Sequence, residues 1–195
     1  MRRTFLTRWM AALGLWVFRT RVVLSDDATN AIVNGRAIVC ANHVSLLDGV
    51  LIAFASPAPL VFGVNAAYAR YGRFSRWGLA LMSRLGFGAV VPLDLAMPFG
   101  IRKLRVALDR GYSVMVFPEG AISPNGRPQP EHGGLRWLVS RTGAHIVRLE
   151  IRGAETSRLF SKSGRQWWPR IDISSDAAPA SRRALNDAVD EKQQA

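Results

Sequence analysis

The stretch CANHVSLLDGVL, residues 40–51, sets His43 and Asp48 five positions apart in an otherwise apolar run, with one hydroxyl, Ser45, between them. On a continuous helix, positions i and i+5 do not share a face, whereas i+3 and i+4 do. On a continuous strand they point to opposite faces. Neither regular element alone brings the histidine and the carboxylate together. A strand ending near Asn42, a turn, and a helix starting near Ser45 or Leu46 does. Asp48 then falls in the first helical turn, where negative charge is favoured. Asn42 and Ser45 are good turn and cap residues.

The rest of the chain alternates in the same way. Short apolar runs at Arg21–Leu24, Ala37–Ala41, Leu60–Val64, Ala89–Leu93, Val114–Phe117, Ile146–Ile151 and Ile171–Ile173 predict strands. Leu47–Ala55, Phe74–Leu85, Phe99–Arg110 and Leu135–Arg141 carry helical patterns. Strands separated by helices of this length predict an α/β layered domain. Gly111, Gly143 and Gly153 sit where helices or strands should stop.

In the turn geometry, Asp48 can hydrogen-bond one imidazole nitrogen of His43. That fixes the tautomer and leaves the other nitrogen free as a general base. A core histidine tied down by a helix-capping carboxylate satisfies the same spacing. A second constellation lies at SVMVFPEGAISPNG, residues 113–126. There a buried-looking strand runs into Pro118, which has no N–H to donate to a ladder. Gly120 permits a sharp turn or a close approach to a ligand. Glu119 stands at a strand end, where α/β folds place ligand sites. Taken alone it reads equally as an exposed turn glutamate.

Composition narrows the class. Hydrophobic residues make up 49% and charged residues 21% of the 195, which excludes a disordered or collagen-like chain. The formal charge of +12 draws the protein toward anionic partners: nucleic acid, acidic lipid or acidic protein. Cys40 is the only cysteine, so no internal disulfide forms, which favours a reducing compartment. No run approaches the roughly 18 apolar residues of a spanning helix. The N-terminal residues 1–18 instead place Phe5, Trp9, Ala12, Leu13, Trp16 and Val17 at helical spacing between flanking arginines. That pattern predicts an amphipathic helix in the membrane interface, with Trp9 and Trp16 at headgroup level; a helix packed on the core is the other reading. Trp167-Trp168-Pro169-Arg170 is a further aromatic–basic cluster, read either as strand packing or as an interfacial contact.

Other chemistries lack support. With one cysteine and no ligand-type spacing of His132 or His145 to carboxylates, no zinc or other metal site is expected. No serine-hydrolase elbow, Walker A or dinucleotide-binding glycine pattern occurs. Nucleic-acid binding would explain the charge but not the two constellations.

Asn42-His43 followed four residues later by Asp48, with Phe117-Pro118-Glu119-Gly120 downstream, resembles the NHx4D and FPEG pair of the glycerolipid (1-acylglycerol-3-phosphate type) acyltransferase family. NHVSLLDGVL, VPLDLAMPFGIRKL, VFPEGAISPNG and IRGAETSRL look most like the 2-acylglycerophosphoethanolamine branch. The resemblance spans roughly residues 12–174. It implies an α/β fold with a central mixed, largely parallel sheet flanked by helices. Residues 19–174 would form the acyltransferase domain, with the amphipathic helix before it and a polar tail, 175–195, after it.

The implied reaction is acyl transfer from a thioester, of acyl carrier protein or coenzyme A, to a lysolipid hydroxyl. His43 would be the base and Asp48 its orienter, with no cofactor beyond the thioester co-substrate. Glu119 and Gly120 would shape the acceptor site, with Ser45, Ala121 and Ile122 as further substrate contacts; Ser45 also reads as a helix cap. The resemblance implies a protein on the cytoplasmic face of a bacterial inner membrane, held peripherally or monotopically by acidic lipids. Departures bear on the acceptor. Ala121 and Ile122 stand where relatives carry arginines, Leu95 follows Asp94 where another is usual, and Arg148 replaces a late-strand proline. Arg84, Arg102, Arg127 and Arg136 are then the candidate phosphate partners. A phosphate-free lyso-aminolipid acceptor, or a lipid- or acyl-carrier-binding module without turnover, are the competing readings.

Overall fold

The computed structural model describes residues 4–65, 83–93, 99–127 and 129–175. In chain order the elements are α1 (Phe5–Val17), β1 (Thr20–Val23), α2 (Asp26–Asn34), β2 (Ala37–Ala41), α3 (Asp48–Ala55), β3 (Leu60–Asn65), β4 (Gly88–Leu93), α4 (Phe99–Asp109), β5 (Val114–Val116), α5 (Gly134–Thr142), β6 (His145–Arg152) and β7 (Ile171–Ser175). A short 3₁₀ turn, Ala154–Thr156, follows β6.

The seven strands form one sheet in the order β1-β7-β6-β2-β5-β3-β4. Every neighbouring pair is parallel except β6 with β7. The sheet is therefore mixed and largely parallel, as the family resemblance implied. β2 lies near its centre and is buried on both sides. Its residues alternate between two cores, as the pleat requires. Ala37, Val39 and Ala41 join Ile32 of α2 and Leu51 and Ile52 of α3 on one face. Ile38 and Cys40 join Leu104 and Leu108 of α4 and Leu135 and Leu138 of α5 on the other. The pairs on α4 and α5 sit four and three apart, so each of these helices presents one apolar stripe to the sheet.

The predicted strands are found with ends shifted by at most two residues, and Ala37–Ala41 unshifted. α2 was not anticipated. It buries Ala28 and Ile32, one turn apart, against the sheet. Its ends are marked as well: Ser25 Oγ accepts from Ala28 N–H, Asp26 and Asp27 occupy the first turn, and Gly35 closes it at φ 81°. Most of the predicted helix 74–85 falls outside the described residues, as do tail residues 176–195.

The N-terminal helix turns its apolar stripe away from the domain. Thr7 and Ala11 are buried, and a Cβ at Gly14 would strike the Phe54 ring of α3. Phe5, Trp9, Ala12, Leu13, Trp16 and Val17, the residues that carry the helical period in the sequence, are all exposed. The stripe is thus not core packing. Among the described residues no helix is long and apolar enough to cross a membrane.

Candidate active site

β2 and β5 are parallel neighbours, with Cys40 level with Val116. Both chains leave the sheet at the same edge, so the residues following each strand meet. β2 ends at Ala41, and Asn42 then continues its ladder with a side chain. Asn42 Nδ2 donates to Ile151 O, and Ile151 N–H donates to Asn42 Oδ1, both at 2.8 Å. The amide thus stands in for one more backbone rung, anchoring the start of the turn on β6.

The turn carries His43 back to Asp48. Asp48 Oδ2 lies 3.0 Å from His43 Nδ1 and accepts the Val44 and Ser45 N–H groups at 2.7 and 2.8 Å. An oxygen already accepting two N–H bonds is an acceptor toward the imidazole as well. The proton therefore sits on Nδ1, which leaves Nε2 as the basic nitrogen. Asp48 is fully buried, and His43 is 16% exposed through its side chain. Burial pushes the Asp48 carboxyl above the ordinary range, opposed by the His43 hydrogen bond and charge and by the two backbone N–H groups.

The helix starts later than the sequence suggests. Asp48 is its first residue, Leu47 is the cap position, and no side chain caps it. Ser45 is therefore a turn residue and not a helix cap. It is wholly buried, and its Oγ accepts from Leu47 N–H at 3.1 Å. Its hydroxyl is committed to the turn rather than opened to a substrate.

The sequence matches the family model described as Acyltransferase over residues 19–152. The chain belongs to the acyltransferase family. The fold of this acyltransferase is similar to that of the 1-acyl-sn-glycerophosphate (LPA) acyltransferase PlsC from Thermotoga maritima. The TM-score is 0.63 at 20% identity, over 94% of this chain and 75% of that one.

In the acyltransferase, the segment after β5 grips His43 in three ways. The Phe117 ring stacks on the imidazole, with centroids 4.0 Å apart and planes 15° apart. Glu119 lies near the backbone N–H groups of Gln129 and His43, which favour its charged form. Ser123 N–H donates to the His43 carbonyl at 2.7 Å. Gly120, at φ 68°, makes the turn between these contacts, and its N–H closes on Phe117 O at 3.0 Å. Glu119 is buried rather than an exposed turn glutamate. Burial raises its carboxyl from the ordinary value, against the Gln129 N–H, the His43 charge and the His43 N–H; Asp48 adds a smaller upward push.

Ala121 is exposed, while Ile122 is buried and offers its carbonyl to Lys162 Nζ at 3.2 Å. Of the four candidate arginines, Arg127 belongs to the segment fused to His43. Ser123, which holds the His43 carbonyl, also donates from Oγ to Arg127 O at 2.8 Å. Arg102 and Arg136 ride on α4 and α5, across the sheet from α3, and Arg84 precedes β4. Arg148 is paired with Glu131 at 2.8 Å. Sequence reading missed Phe117 as a partner of the imidazole, Ser123 as a clamp and Lys162 as a neighbouring cation. Local spacing holds no signal for Ser123 or Lys162, because the β2–β5 register and the fold-back of the loop after β6 create both contacts. His132 is exposed and His145 opens β6, and no group of metal-ligating side chains occurs among the described residues.

Proposed function

We propose that the protein is a lysophospholipid O-acyltransferase in which His43 is the general base and Asp48 its orienter. The observation that carries this reading is the buried Asp48 carboxylate on His43 Nδ1, which leaves Nε2 basic in a partly open imidazole. The acceptor hydroxyl gives its proton to Nε2 while its oxygen attacks the thioester carbonyl. The tetrahedral adduct collapses, the C–S bond breaks, and the imidazolium returns the proton to the leaving thiolate. No protein nucleophile is needed, because the substrate hydroxyl is the nucleophile. The chemistry requires no cofactor beyond the thioester itself.

Lys162 and Arg127 are the cations proposed to meet the acceptor headgroup, supported by their ties to the Ile122–Arg127 segment that holds His43. Acyl carrier protein and coenzyme A thioesters both suit a chain of +12 charge. The outward apolar stripe of α1 supports peripheral association with the cytoplasmic membrane face, through acidic lipid.

The test is incubation of purified protein with lysophosphatidylethanolamine, lysophosphatidic acid or a lyso-aminolipid, each paired with an acyl carrier protein or coenzyme A thioester. Products are read by mass spectrometry. A diacyl product that disappears in His43→Ala is the expected result. No product from any pair, or an unimpaired His43→Ala enzyme, overturns the proposal.

A further inference from the structure

The α1 stripe does not stand alone. After β6 the chain runs through the 3₁₀ turn into a loop, Ser157–Pro169, that returns beside the end of α1. Trp168 Nε1 donates to Val17 O at 2.8 Å, and its ring stacks on Phe18 with centroids 6.1 Å apart. Arg19 Nη1 reaches back to Trp168 O at 3.3 Å. Despite these contacts Trp168 stays half exposed, and Trp167 beside it is 60% exposed, comparable with Trp9 at 65%. Arg158 lies over the Trp167 ring at 4.7 Å from its centroid.

We infer that the Ser157–Pro169 loop is a second membrane anchor, locked to α1 through Trp168, so that the protein docks on an anionic bilayer by two elements. Charge decides the occupant. Residues 4–24 and 157–170 contain no acidic residue, and they carry Arg8, Arg19, Arg21, Arg158, Lys162, Arg165 and Arg170. A second copy would bring like charge against like charge, whereas an anionic lipid surface is complementary. The chemistry of the side chains agrees. Indoles bearing arginines suit the headgroup layer, and Phe5, Leu6 and Leu13 suit the acyl boundary below it.

The second anchor also places the catalytic turn. Leu46 N–H donates to Phe160 O at 2.8 Å, so the loop is bonded to the turn that holds His43 and Asp48. An apolar crevice lined by Phe18, Leu47, Phe160, Trp168, Pro169 and Ile171 joins the two. The dock and the turn therefore move as one piece. A lysolipid held in the bilayer meets the turn with its chain still among the lipids.

This extends the membrane reading of α1 and is independent of the acyl-transfer reading. Its test is read without substrate. Full-length protein is co-sedimented with phosphatidylcholine vesicles made with and without phosphatidylglycerol. Three proteins are compared: the wild type, Trp167→Ala/Arg158→Gln, and Trp9→Ala/Trp16→Ala. These side chains are exposed, so unchanged circular dichroism and thermal midpoint serve as the folding control. Each double variant is expected to lose about tenfold in affinity for the anionic vesicles. Wild-type affinity in Trp167→Ala/Arg158→Gln overturns the second anchor. So does a result in which the variants dissociate a dimer, or release an acidic protein partner, while vesicle binding is unchanged.

Discussion

Phe117 lies flat on His43, ring on ring at 4.0 Å between centroids. The residue after β5 thereby sets the plane of the imidazole after β2, while Asp48 sets its rotation. In Phe117→Ala the ring loses one of these two restraints. The expected outcome is a fall in kcat of about tenfold or more with KM little changed, since a misplaced base costs rate rather than binding. Steady-state kinetics on the substrate pair identified by mass spectrometry checks it.

His43→Ala removes the proposed base, and a loss of about 10²–10⁴ in kcat/KM is expected. Asp48→Asn is the sharper variant. Its carbonyl oxygen can still accept the Val44 and Ser45 N–H groups, which preserves the turn. It cannot stabilise the imidazolium. A comparable loss of kcat with a near-native thermal midpoint is the expected signature, and full activity in Asp48→Asn would rule out the orienting role.

Asn42 contributes stability rather than chemistry. Asn42→Leu leaves the Ile151 N–H and C=O without their side-chain partners. A loss of about 1–3 kcal/mol in denaturant unfolding is expected. Residual activity per folded molecule should be reduced far less than in His43→Ala.

Glu119 links stability to pH. Its carboxyl is raised in the folded state, so the native protein holds this proton more tightly than the unfolded chain. Between the unfolded value and the raised folded one, the unfolded chain ionises first. This group's contribution to stability is present below that window and is lost as pH rises through it. Glu119→Gln keeps an oxygen near the His43 N–H but cannot ionise. Its thermal midpoint should therefore rise relative to wild type as pH climbs above the ordinary glutamate range. A difference that is flat with pH, measured by differential scanning calorimetry, would show that the raised carboxyl is not linked to folding.

Much of the architecture was legible because burial is periodic. β2 reads as strand from Ala37 to Ala41 since both its faces are covered, and α4 and α5 show their apolar stripes directly. α2 was not read from the sequence, although Ser25, Asp26 and Gly35 mark its ends. Ser45 was misread. A serine ahead of an apolar run suits a helix cap, but here the buried carboxylate of Asp48 gathers the neighbouring N–H groups and delays the helix to Asp48.

The sequence by itself determined that His43 and Asp48 must meet across a strand-to-helix turn, since no regular element can pair positions five apart. It also determined that residues 5–17 carry an apolar stripe. Tertiary structure alone decided where that stripe points and what completes the turn. Gly14 seats α1 on Phe54 with the tryptophans outward. The parallel β2–β5 register brings Phe117, Glu119 and Ser123 onto one histidine. Contacts across strand registers depend on how the sheet is ordered, and local periodicity holds no record of that order.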